Sequence, residues 1–132
     1  MNPRFSVFSP FAVAGLLLLS VAPAGAADLS KELTTAITHA GLAAGSPDLK
    51  MVQVHLHHVV NCLVGPNGTG FDPGNVNPCK DLGAGAIPDA SPEKQKILQT
   101  AVASAQSGLA ETDVAKAKSD AADVQAIIRK AE

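Results

Sequence analysis

Three of the chain's four histidines and one of its two cysteines fall in a single short stretch, Val54-His55-Leu56-His57-His58-Val59-Val60-Asn61-Cys62-Leu63. A helical residue turns about 100° from the one before it, so positions three, four and seven apart share a face. On a helix, Met51, His55, His58 and Cys62 therefore form one stripe. Val52, Leu56, Val59 and Leu63 form the neighbouring apolar stripe, which must face a core, and this sets the Met/His/His/Cys line along the core's border. His57, with Gln53 and Asn61, falls on the polar side, toward solvent. The fourth imidazole, His39, belongs to the preceding helix; counting back from the turn near Ser46 puts it level with Gln53 to His55.

Imidazole suits copper(II), nickel(II) and zinc(II), and a thioether adds copper(I). Two histidines one helical turn apart can hold one ion because their side chains project the same way. The expected metal ligands are thus His55 and His58, with His39 and Met51 in support, and copper is the first choice of metal ion before nickel or zinc. The competing expectation is structural: His55 and His58 pack on Val and Leu and hydrogen-bond to a following loop, in a non-catalytic interaction or scaffold protein. A pH switch is the third, since histidines pressed on apolar surface titrate near neutrality.

Other chemistry lacks its parts. No glutamate accompanies the histidines as a base, no Gly-x-Ser-x-Gly elbow is present, and the serines read as helix caps, so no enzyme is expected. A covalent c-type haem needs Cys-x-x-Cys-His, which is absent. The last two predicted helices contain no His, Met or Cys to ligate across a bundle. Haem b held by the first helix pair, or shared across a homodimer, is the second choice of cofactor. Asp72, Asn75, Asn77 and Asp81 offer oxygens, but their spacing matches no calcium loop.

The elements that position these residues follow from periodicity and punctuation. Helices are predicted at about 28–44, 47–64, 92–107 and 112–131. Ser46-Pro47-Asp48 and Ser91-Pro92-Glu93 read as N-cap, first-turn proline and an acid on the positive end of the dipole. Gly65-Pro66 and Gly108 read as stops. On the last helix Val114, Ala117, Ala121, Val124, Ile128 and Ala131 form the inward stripe. The fold class is all-α: a small antiparallel up-down four-helix bundle, one domain over 27–132.

Between the second and third helices, 65–90 is dense in Gly, Pro and Asn, which is turn chemistry and predicts a loop without helix or strand. Loops of this length inside small domains usually carry function. Phe71, Asp72, Asn75 and Asn77 are its candidate contacts to a protein partner, and Phe71 is also its candidate apolar plug. Asn67-Gly68-Thr69 matches a glycosylation sequon.

The first 26 residues read as a secretory signal peptide: Arg4 precedes an apolar run through Leu19, and Ala24-Gly25-Ala26 fits the cleavage rule. A periplasmic or secreted protein with no membrane anchor after cleavage is expected. In that oxidising setting the two cysteines predict a Cys62–Cys79 disulfide pinning the loop. Cleavage leaves Phe71 as the only aromatic, so the core must be aliphatic and alanine-rich. The net charge of −2, without a basic cluster or an aromatic row, excludes nucleic acid as a partner.

Overall fold

The computed structural model describes residues 27–132, and the predicted signal peptide lies outside the described residues. Five helices occur there and no strand: α1 (Leu29–Gly45), α2 (Leu49–Val64), α3 (Ala86–Asp89), α4 (Pro92–Ala110) and α5 (Val114–Arg129). Each helix of the α1–α2 pair opens on an aspartate. Asp28 accepts a hydrogen bond from the Lys31 N–H at 3.1 Å, and Asp48 accepts one from the Met51 N–H at 2.9 Å. Each satisfies a donor that the first helical turn leaves free.

Asp48, not Ser46, is therefore the cap of α2, which begins two residues later than the Ser-Pro-Asp pattern predicts. Ser46 closes α1 instead, its N–H donating to Ala43 O at 3.1 Å and its hydroxyl to Leu42 O at 2.8 Å. At the start of α4, Ser91 and Pro92 take the predicted positions.

Gly108 does not stop α4, which continues to Ala110. The residue is buried, and a Cβ on it would stand 2.8 Å from Leu56 Cδ1 and 3.1 Å from Asp120 Cβ. Its glycine serves the close approach of three helices and not a chain reversal. The last helix ends at Arg129, before the predicted 131, and Val114 at its start is 37% exposed instead of facing inward.

Helix α1 packs on α2 and α5, and α4 packs on the same two helices. Alanines 36, 40, 101, 105, 117 and 121 are fully buried, and Leu56, Leu63, Leu98 and Ile128 are the largest fully buried aliphatic residues, with Leu33 and Ile37 beside them in the core. A fully buried leucine contributes roughly 2 kcal/mol and an alanine far less, so this core is thin.

The predicted bridge is present. Cys62, in the last turn of α2, and Cys79 are joined across 17 residues, and both are buried. A loop of that size gains about 3 kcal/mol from the cross-link. The segment 65–90 is not wholly irregular, since Ala86–Asp89 forms the one-turn helix α3. What allows it is a pinch between Gly65 (φ 70°) and Gly85 (φ 119°). A Cβ on Gly65 would strike the Ala84 carbonyl, and one on Gly85 would lie 2.6 Å from Gly65 N. Both residues need the glycine-only backbone and the space. No described helix is long and apolar enough to cross a membrane.

Candidate metal centre

His39 projects from α1 toward α2 beside Ala36 and Ala40, whose small side chains lie fully buried at that interface. The short Ser46–Asp48 connection fixes the register, bringing His39 level with His55 and His58. His39 Nδ1 lies 3.3 Å from His55 Nδ1 and 3.3 Å from His58 Nδ1. One ring nitrogen from each of the three lies within 4.8 Å of the others, so the group could hold a metal ion. All three residues are half-buried.

The rings do not stack. Their centroids are 4.9 to 5.6 Å apart and their planes are inclined by 41°, 80° and 89°. Two nitrogens bound to one tetrahedral ion at about 2.0–2.1 Å must stand roughly 3.3–3.4 Å apart. Both Nδ1 separations at His39 have this value.

Hydrogen bonding alone leaves the group incomplete. Each neutral ring carries one N–H, and a single atom, His39 Nδ1, faces two partners. Whether it donates or accepts, it cannot form a full bond to both. Protonation does not cure this, because a charged His39 still has a single hydrogen on Nδ1. Burial first, and then the neighbouring His58 and His55, hold the His39 pKa below the ordinary histidine value. Burial, then His55 and His57, lower that of His58. Both effects favour neutral imidazoles, the form that binds metal.

The remaining predicted ligands are placed as follows. Met51 stands one turn before His55 at the surface, 38% exposed. Cys62 belongs to the same helical stripe, but its sulfur is committed to Cys79.

The side of α2 that reads as solvent-facing is covered, and this corrects the sequence reading. Gln53 Nε2 donates to Leu109 O at 3.2 Å, at the end of α4. His57 Nδ1 lies 3.3 Å from Asp72 Oδ2. Asn61 is fully buried: its Nδ2 donates to Asp72 O, Asn75 O and Val76 O at 2.9, 3.1 and 3.3 Å, and its Oδ1 accepts from the Asp72 N–H at 2.8 Å. A loop that winds back on α2 has carbonyls needing donors, and one amide supplies several. Fastening the loop is therefore the work of Asn61 and His57, not of His55 and His58.

Of the four loop residues nominated for a partner, Phe71 is half-buried against the core. Asp72 accepts from Gly74 N–H and Asn75 Nδ2, which hold its carboxyl below the usual range, the Asn75 bond first. Asn77 Oδ1 accepts from the Cys79 N–H at 3.0 Å.

Sequence reasoning also missed Glu32, a fully buried acid that accepts from the Gly85 N–H at 3.1 Å. Its position gave a signal: it lies on the stripe of Leu29, Leu33 and Ala36, where a charge is out of place.

No family model matches this chain, and no curated protein or solved structure matches it.

Proposed function

We propose that this protein binds one transition-metal ion, copper before nickel or zinc, through His39, His55 and His58, acting as a carrier, buffer or sensor and not as an enzyme. The observation that carries the reading is the pair of 3.3 Å separations meeting at His39 Nδ1, the spacing of two nitrogens on one ion. Three neutral nitrogens with no carboxylate among them favour copper, which also heads the affinity order of the divalent ions. Met51, one turn away on α2, is the soft donor within chain reach should copper(I) be the species carried.

The ring of contacts from α1 to α2, α4, α5 and back to α1 supports an up-down antiparallel bundle, with α3 a turn inside the crossover. A buried disulfide fits a protein outside the cytoplasm, and together with the leader-like first 26 residues it supports a periplasmic or secreted site of action.

Titration of the oxidised protein spanning residues 27–132 with copper(II), nickel(II) and zinc(II), followed calorimetrically, tests the proposal. Affinity undiminished in a His55→Ala/His58→Ala variant would end it.

A partner-binding scaffold is the second reading. It draws on a cleft of about 500 Å³ between the loop, α3 and α4, with Val64, Ile87 and Val102 among its walls. In that case the alanine variants lose stability and added metal changes nothing. Haem b fits less well, because a macrocycle needs its axial rings on opposite faces, and here three rings crowd one point.

A further inference from the structure

Glu32 and Asp89 are held side by side by consecutive backbone amides. The Ala84 N–H donates to Asp89 Oδ2 at 2.7 Å and the Gly85 N–H to Glu32 Oε1 at 3.1 Å. Gly83 closes the arrangement. A Cβ on it would strike Asp89 Oδ2 and lie 2.8 Å from Glu32 Oε1, so the two carboxyl groups flank one point.

Glu32 is fully buried, and its second oxygen, Oε2, is buried without a hydrogen-bond partner. An ionised carboxylate in that position would carry an unsolvated charge beside a second acid, which is costly on both counts. A proton on Oε2 removes the charge and turns the orphaned oxygen into a donor.

We propose that Glu32 holds a proton beside Asp89, forming a latch that fastens α1 to the Gly83–Asp89 segment in mild acid and releases it as the pH rises through neutrality. The Gly85 N–H opposes this by favouring the ionised carboxylate, and burial with Asp89 outweighs it. From α1 itself come Asp28 and Lys31, which pair with each other at 2.8 Å. Helix α2 brings the Cys62–Cys79 bridge, which does not titrate; Cys79 Sγ lies 3.7 Å from the Glu32 carbonyl. From α4 and the end of the chain come Lys94 and Glu132, beside Leu29 and Leu33, where Lys94 Nζ donates to Glu132 O at 2.8 Å. Burial first, then Asp89, push the Glu32 pKa from 4.5 to about 7.

The sign follows directly. A carboxyl whose folded pKa is raised takes up its proton on folding. The stability it contributes is complete below the unfolded value near 4.5 and is lost as the pH passes about 7. The consequence reaches the cleft, because Ala84, Ile87 and Pro88 of the fastened segment form one of its walls.

The test is a carboxyl carbon NMR titration of the disulfide-bonded protein, combined with denaturant unfolding from pH 5 to pH 8.5 on wild type and Glu32→Gln. Glutamine keeps a donor toward Asp89 and removes the titration. The expected results are a Glu32 midpoint near neutrality, and a folding equilibrium constant that falls by on the order of a hundredfold more in wild type than in Glu32→Gln across that range. Amide protection factors at Ala84 and Gly85, which discount the base catalysis of exchange itself, should fall in step in wild type and not in Glu32→Gln. The histidines contribute an opposite slope, so the difference between the two proteins is the quantity read. A Glu32 midpoint at an ordinary carboxylate value, or parallel profiles, would overturn the latch. Should Glu32→Gln not fold, the titration of the wild-type carbon decides alone. The outcome is separate from that of metal binding.

Discussion

Asn61 and Asp72 grip each other reciprocally: the Asn61 amide donates to the Asp72 carbonyl at 2.9 Å, and the Asp72 N–H donates back to the Asn61 Oδ1 at 2.8 Å. This is the pairing of two strands, made by one side chain against a backbone. Asn61→Ala would strand buried loop groups, each of which costs about 1–3 kcal/mol. Denaturant unfolding should show a loss of that order or more, with metal affinity unchanged. A parallel collapse of metal binding would mean that loop and rings are one unit.

The ring group responds in the opposite way. Alanine at His39, His55 or His58 removes a direct ligand, and loss of outer-shell partners alone costs 10–100-fold, so each variant should bind at least about a hundredfold more weakly. Stability should change little, since the rings are half-buried. Calorimetry and unfolding on the same samples separate the two effects. Wild-type affinity in all three variants would remove the site.

Acid should release the ion later than ordinary histidines would. Burial holds the folded pKa of His39 and His58 below the ordinary histidine value of 6.5. The stability they contribute is present above that unfolded value and is lost as the pH falls through the lowered folded values. Metal retention should therefore persist somewhat below pH 6.5 before protons displace the ion. Imidazole NMR titrations with and without zinc check this, and midpoints of His39 and His58 at or above 6.5 in the metal-free protein would contradict it.

Breaking the bridge tests the thinness of the core. Cys62→Ser with Cys79→Ser should cost about 3 kcal/mol in unfolding experiments. The loss should appear first as faster exchange in the loop. A stability within experimental error of wild type would show that the polar contacts, Asn61 foremost, hold the segment without the bridge.

Gly108→Ala probes the helix contact. Its Cβ would meet Leu56 Cδ1 at 2.8 Å. Overpacking of this kind costs about 1–3 kcal/mol, visible as a lower melting temperature, whereas helix propensity alone would raise it.

Much of the ring geometry was legible in the sequence. The apolar stripe of α2 set His55 and His58 at the core's border, and a count back from the turn put His39 level with Gln53 to His55; the rotation of the helix pair, which decides whether they meet, was not legible. Asn61 was not legible, because periodicity treats a polar residue as solvent-facing and cannot see a loop that returns to cover it. The clue lay in adjacency: a bridge at Cys62 must bring the loop over residue 61. Glu32 was visible as an acid on an apolar stripe, but its partner Asp89 is 57 positions away and no local pattern connects them. Gly108 misled because a glycine needed for space looks the same as one needed for a stop.

The three imidazoles all come from positions 39 to 58, while α4 and α5 contain no histidine, methionine or cysteine. The joint between α1 and α2 is thus the jig on which the donor set is cut, and the later helices act as a splint behind it. One residue inserted between Ser46 and Asp48 would rotate the rings out of convergence while the bridge and the asparagine clasp stayed in place.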